Sequence, residues 1–153
     1  MAVQAFISAQ MVEDTRLRPT EKHGKLRFAY FNLPATTIVG DATTTIDLCE
    51  LPSGQVRVLP HLSRIATSAF GAGRTLSVGH YAYQKADSST EPQNATAFIA
   101  ALDVSAAVAA AVWGTAIKYD VYSKAGVTLF ATVNANTIPV GATIEGFVAY
   151  LYE

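Results

Sequence analysis

Most of this chain alternates between apolar and polar residues with a period of two, and that alternation constrains its fold most strongly. Residues 26–32 place Leu26, Phe28 and Tyr30 on one face, and residues 75–83 alternate in the same way. Successive side chains of a β-strand point to opposite faces of a sheet, so this period predicts strands.

The strands are short and regularly punctuated. Runs rich in β-branched residues recur every 8–15 residues, and glycine, proline or asparagine separates them. About eight such strands indicate a single-domain, all-β antiparallel β-sandwich. A jelly-roll is the first expectation and an immunoglobulin-like sandwich the second. Residues 127–133 are expected to form the hairpin partner of residues 115–122.

Three segments depart from this pattern. Residues 97–112 are rich in alanine, and Asp103 or Ser105 could cap a helix there, so at most one short helix is expected. Residues 84–96 are polar and are expected to form a loop. Residues 1–24 show no clear period beyond a short possible strand over residues 4–8. We therefore expect an extended N-terminal arm over residues 1–24 and a β-sandwich (jelly-roll) domain over residues 25–153.

Low charge narrows the classes of function. The 153-residue chain has 15% charged residues and a net charge of −1, which argues against a nucleic-acid binder that relies on bulk positive charge. The first ten residues lack the basic and apolar regions of a secretory signal, and residues 97–113 are too short to span a bilayer. We expect synthesis in the cytoplasm and no membrane partner. Little charge also leaves little repulsion between copies of the chain.

No residue pattern indicates catalysis. The three histidines and the single Cys49 show no metal-ligand spacing, and His80, on an apolar strand face, is more typical of a core or interface residue than of a general base. Residues 70–75 (FGAGRT) lack the remaining features of a phosphate loop and predict a hairpin turn. We therefore expect no catalytic residue, no cofactor, no metal and no small-molecule substrate.

Aromatic residues and the arm are the candidate assembly contacts. Tyrosine combines an apolar ring with a polar tip, which suits subunit interfaces, although ordinary packing inside the sandwich would also explain these residues. The arm could add a strand to the sheet edge of a neighbouring subunit. The candidate contacts are Phe6, Ile7, Met11, Arg16, Arg18, Tyr81, Tyr83, Trp113, Tyr150 and Tyr152.

Three runs carry a resemblance to a known class: VRVLPHLSRI (56–65), GRTLSVGHYAY (73–83) and TIPVGATIEGFVAY (137–150). Over residues 25–152 the chain resembles small structural proteins of tailed bacteriophages, of the capsid decoration (cement) type. The resemblance implies a non-enzymatic protein on the virion's capsid surface, made in the host cytoplasm. Its partners would be the major capsid protein and copies of itself, as a homotrimer that bridges neighbouring capsid subunits.

Two alternatives stay open at this point. A tail or fibre module could bind host-surface glycans through exposed aromatic rings. A small β-barrel enzyme of the cupin type would need a cluster of histidine and glutamate ligands, and no matching histidine spacing is present.

Overall fold

The computed structural model describes residues 25–36, 40, 44–134 and 137–152, and within them every regular element is a β-strand. This confirms the all-β prediction. No helix long and apolar enough to cross a membrane occurs among these residues. The strands are β1 (Lys25–Leu33), β2 (Thr45–Leu51), β3 (Gly54–Val58), β4 (Arg64–Thr67), β5 (Thr75–His80), β6 (Tyr83–Gln84), β7 (Thr90–Glu91), β8 (Asn94–Asp103), β9 (Val108–Val112), β10 (Tyr119–Ser123), β11 (Val127–Asn134) and β12 (Ile144–Tyr152).

The strands form two main antiparallel sheets and a small hairpin of β6 and β7. In the first sheet β1 pairs along the whole of β12, and the other side of β12 pairs with β4 and then β3. Strand β9 continues the sheet beside β4, and β10 does so beside β3. The second sheet has the order β2-β11-β5-β8. Strands β3 and β4 both pair with β12 and count as one interrupted strand, and β9 and β10, which lie beside them, count as another. Each main sheet then has four strands, and the eight strands have jelly-roll connections.

A turn at residues 59–63 interrupts the strand made of β3 and β4. The pairing with β12 is preserved across this turn, because the Leu59 N–H donates to the Ala149 carbonyl at 2.8 Å. The Ser63 hydroxyl accepts the Ala149 N–H at 2.9 Å and donates to the Leu59 carbonyl at 3.0 Å. A serine side chain thus replaces a missing backbone partner at a fully buried point of the sheet.

The core lies between the two sheets. Alternate residues of the first sheet, such as Val56 and Ile65, and of the second, such as Leu76 and Leu129, have no exposed surface. Trp113 closes one part of this core, with its ring 5.5 Å from that of Phe98. The inward faces therefore follow the period of two seen in the sequence.

The helix predicted over residues 97–112 is wrong. These residues form most of β8 and all of β9, joined by a short turn. The Asp103 carboxylate does accept the Ser105 N–H at 2.9 Å, but this caps a turn rather than a helix. Burial of Phe98, Ile99 and Val104 in the core of the sandwich outweighs the helix preference of alanine.

Two further expectations need correction. Strand β11 is not the hairpin partner of β10, since β11 lies between β2 and β5 in the second sheet while β10 pairs with β3 in the first. Chain neighbours in a jelly-roll cross between sheets, as β4 and β5 also do, so residues 70–75 form a crossing turn and not a hairpin. The segment 84–96, expected to be a loop, contains β7, the end of β6 and the start of β8.

Candidate assembly surface

The outward face of β1 carries a row of apolar side chains. Leu26, Phe28 and Tyr30 share one face, as the alternation predicts, but that face points away from the core. The exposed fractions of these residues are 48%, 45% and 75%. On the opposite face of β1 the residues from Ala29 onward are also apolar, and Phe31 among them is buried. A contiguous exposed apolar surface of this kind is typical of an interaction site.

Phe147 of β12 joins this row through the strand pairing, which sets Phe147 opposite Tyr30. Its ring lies 5.5 Å from Phe28 in an edge-to-face arrangement and 5.8 Å from Tyr30. The rings of Phe28 and Tyr30 are 6.4 Å apart. We call Phe28, Tyr30 and Phe147 the aromatic cluster. Its rings hold one another in place on the protein surface, so that a partner meets a preorganised apolar contact.

A groove of about 560 Å³ lies beside the aromatic cluster. Gly146 lies at its base with its backbone packed closely against β4, since a Cβ atom there would overlap the backbone carbonyl oxygen of Arg64. The lining of the groove comprises Tyr30, Phe31, Asn32, Arg64, Ile65, Ala66, Ala109, Ala110, Glu145, Gly146 and Phe147.

Two arginines of the first sheet are held by neighbouring groups. The Arg64 guanidinium donates to the carbonyls of His61 and Ser63 at 2.9 and 3.0 Å. Arg57 donates to the Asp120 carboxylate at 2.7 Å, and this bond holds the pKa of Asp120 below its usual value. Arg64, which lines the groove, is thus held by backbone carbonyls of its own chain.

The structure separates the ten candidate contacts predicted from the sequence. Phe6, Ile7, Met11, Arg16 and Arg18 lie outside the described residues.

Tyr81 and Tyr152 reach the surface. The Tyr81 ring stacks on Phe130 with a centroid distance of 4.2 Å, and its hydroxyl donates to Asp47 at 2.8 Å. Tyr152 has the Arg27 guanidinium 5.4 Å from its ring centroid.

Tyr83, Trp113 and Tyr150 are different, because they belong to the core of this chain and are 8%, 1% and 9% exposed. They pack within the sandwich of their own chain, as ordinary sandwich packing would require, and their role as assembly contacts stays a prediction. The aromatic cluster was not among the contacts predicted from the sequence. It could have been found from residues 28–33, which are mostly apolar on both faces of the strand, because a single core can cover only one of these faces.

The histidine and the glycine-rich turn considered in the sequence for chemistry are held by hydrogen bonds within the fold. His80 is fully buried, its Nδ1 donates to the Tyr81 carbonyl at 2.9 Å, and its Nε2 lies 3.0 Å from the Tyr119 hydroxyl. The residues that the structure describes contain no group of three His, Cys, Asp or Glu side chains arranged to hold a metal ion. Arg74 donates to the carbonyls of Phe70 and Thr137 and thereby closes the crossing turn.

Comparison with known proteins supplies a likeness of fold. No protein-family model matches the chain, and no curated protein matches its sequence. Among solved structures, a chain of the cyanophage Pam1 capsid asymmetric unit matches with a TM-score of 0.58 and 17% identity. The match covers 86% of this chain and 87% of that one. The fold is that of viral capsid proteins.

A second similar structure is that of infectious bursal disease virus, Gx strain, with a TM-score of 0.50 and 10% identity. The match covers 89% of this chain but only 35% of the viral chain, so this protein corresponds to about a third of that one. Both likenesses confirm the jelly-roll-like prediction over most of the described residues.

Proposed function

We propose that this protein is a non-enzymatic structural component of a phage virion that decorates the capsid surface and stabilises it by bridging neighbouring capsid subunits. The observation that carries the proposal is the exposed aromatic cluster on a fold shared with a phage capsid chain. A decoration protein needs a rigid scaffold and a contact surface. The two sheets supply the scaffold, and the outer face of β1 and β12 supplies the surface.

The extent of the fold likeness also supports a virion role. The match to the cyanophage capsid chain covers 86% of this chain and 87% of that one, so the shared fold accounts for nearly the whole of that capsid component.

The proposed partners are the major capsid protein and two further copies of this chain, as a homotrimer. Several weak contacts become strong when one particle binds them together, because the second and third contacts form at high effective concentration. The low charge of 15% fits a protein that is covered on several sides by neighbours.

Capsid binding tests this function directly. Particles of the phage that encodes the chain, stripped of the protein, are mixed with wild type, with Tyr30→Lys and with the control Ile117→Lys, and bound protein is counted after sedimentation. Ile117 is 76% exposed, matching Tyr30, but lies away from the aromatic cluster. We expect many copies of wild type and control per particle and at least tenfold weaker binding of Tyr30→Lys. No binding, or binding at one vertex only, would refute decoration.

One observation favours a second candidate function, a tail or fibre module that binds glycans. Tyr30 stands at a groove that also presents the polar side chains of Asn32 and Glu145, and sugars stack on exposed rings beside such groups. A glycan array settles this alternative. Binding that Tyr30→Ala abolishes, together with absence of the chain from capsid heads, would favour it over decoration.

A further inference from the structure

The free edge of β1 differs from the other edges of the sandwich. Within the described part of the chain, the four outer positions are held by β1 and the β9–β10 pair in one sheet and by β2 and β8 in the other. Strands β9 and β10 are separated by residues 113–118, and β2 and β8 each pair with an irregular register. Strand β1 alone pairs over nine residues without a shift.

Bulges and interruptions are the usual means by which sheet edges avoid pairing with other chains. Three of the four edges have such protection and β1 has none. Its row of exposed apolar side chains adds to the effect, because a long, regular and apolar edge is a template for another strand. The only charged residues of β1 are Lys25 and Arg27, near its start. Residues 28–33 therefore carry no charge that would oppose pairing with another strand.

The chain itself contains a segment that fits this edge. Residues 1–24 lie outside the described residues and end where β1 begins. Within them, residues 4–8 (QAFIS) are the predicted short strand. Alternation would place Phe6 on one of its faces and Ile7 on the other. Both faces of β1 are apolar, with Phe28 on the outer face and Phe31 on the inner, so an added strand that is apolar on both sides matches it.

We propose that residues 4–8 of one copy add as a strand to the free edge of β1 in a neighbouring copy. The connector of residues 9–24 is long enough to reach a neighbouring copy. It has sixteen residues, whereas hairpin connections have two to five. Fully extended it spans roughly 53 Å, more than the roughly 35 Å width of a domain of this size.

Strand addition in this direction is head-to-tail, since the arm of each copy binds the edge of the next. Such contacts close when the rotation between copies allows it, either as a dimer that exchanges arms reciprocally or as a ring of three or more copies, and in each case every arm and every edge is satisfied. This inference rests on the proposed function only for the biological purpose of the association. Self-association of the purified chain is measured without capsids, so its result does not depend on whether the chain binds capsids.

Two full-length variants test the pairing. The arm variant carries Phe6→Lys with Ile7→Lys, and the edge variant carries Phe28→Lys with Tyr30→Lys; Ile117→Lys is again the control. Sedimentation equilibrium at tens of micromolar gives the mass of each. We expect wild type and control at a multiple of 16.2 kDa, and the arm and edge variants as monomers. Trp113 fluorescence checks that each variant is folded.

Mixing the two variants distinguishes a neighbour from the same copy. The arm variant keeps an intact edge and the edge variant keeps an intact arm, so an equimolar mixture can form one correct contact. We expect a heterodimer of twice the chain mass that does not grow into a ring. A mixture that stays monomeric, a monomeric wild type, or variants that associate normally would each overturn the proposal.

Hydrogen exchange localises the contact. Amides of residues 26–33 that face the free edge are expected to exchange at least about tenfold more slowly in wild type than in the arm variant, with the control unchanged. Equal exchange of these amides in wild type and arm variant would also overturn strand addition. Failure of capsid binding with all these results intact would instead refute decoration alone.

Discussion

Ser63→Ala tests how the sheet survives its interruption between β3 and β4. The Ser63 hydroxyl accepts the Ala149 N–H at 2.9 Å, at a point where both residues have no exposed surface. Alanine removes the oxygen and leaves the Ala149 N–H without a partner. The Leu59 carbonyl is less affected, because it also accepts the N–H groups of Leu62 and Ser63.

The expected cost follows from that single orphaned donor. A buried polar group left without a hydrogen bond costs about 1–3 kcal/mol, whereas loss of a bond that water can replace costs about 0.5–1.5 kcal/mol. Ser68 provides the matched control, since its hydroxyl accepts the Thr143 N–H at 3.0 Å at a half-buried site. Ser63→Ala should therefore destabilise the protein by about 1 kcal/mol more than Ser68→Ala does.

Urea unfolding followed by the fluorescence of Trp113, the only tryptophan, measures this difference at one fixed protein concentration. The midpoint should fall while the slope stays constant, and the melting temperature should fall by roughly 3–10 °C for Ser63→Ala. Equal destabilisation by the two substitutions would refute the view that Ser63 replaces a backbone partner. A changed slope would mean that the variant's folded state has rearranged.

Three further outcomes are expected. Burial raises the pKa of the Cys49 thiol from 9.0 to about 12, so the folded chain should react with iodoacetamide at pH 8 at least about a hundredfold more slowly than in urea. Asp120→Asn should make the free energy of unfolding slightly less sensitive to acid. The bond from Arg57 lowers the pKa of Asp120, so the stabilisation by this bond is present at neutral pH and is lost as the pH falls through that lowered pKa. At this exposed pair the effect is at most about 1 kcal/mol, measured by urea unfolding at pH 7 and pH 3. Gly146→Ala should lower stability by about 1–3 kcal/mol in the same assay, because its Cβ overlaps the Arg64 carbonyl.

Residues 26–33 show which part of the fold the sequence pattern predicts and which part it does not. The alternation correctly groups Leu26, Phe28 and Tyr30 on one face of a strand. It does not tell which face is buried, because Phe31 and Leu33 make the other face equally apolar. The structure decides in favour of Phe31, which packs against Trp113 at 6.0 Å and so completes the core.

The role of Ser63 lay beyond sequence reasoning for another reason. A serine in a turn predicts only a local hydrogen bond, whereas its partner Ala149 is 86 residues away in the chain. The helix predicted over residues 97–112 failed in a related way. Alanine favours a helix only weakly, and burial of Phe98 and Ile99 in the core of the sandwich overrides that preference.

The sequence by itself determined that this protein is built of strands, roughly where they lie, and that few charges would keep its copies apart. These properties depend on neighbours in the chain: the period of two, the turn residues and the composition. Only the tertiary structure decided which strands pair, which apolar faces are buried and which edge is left open. Two sheets can cover only one face of each strand, and contacts between residues far apart in sequence choose which face it is. The apolar row on β1 is the face that was left outside.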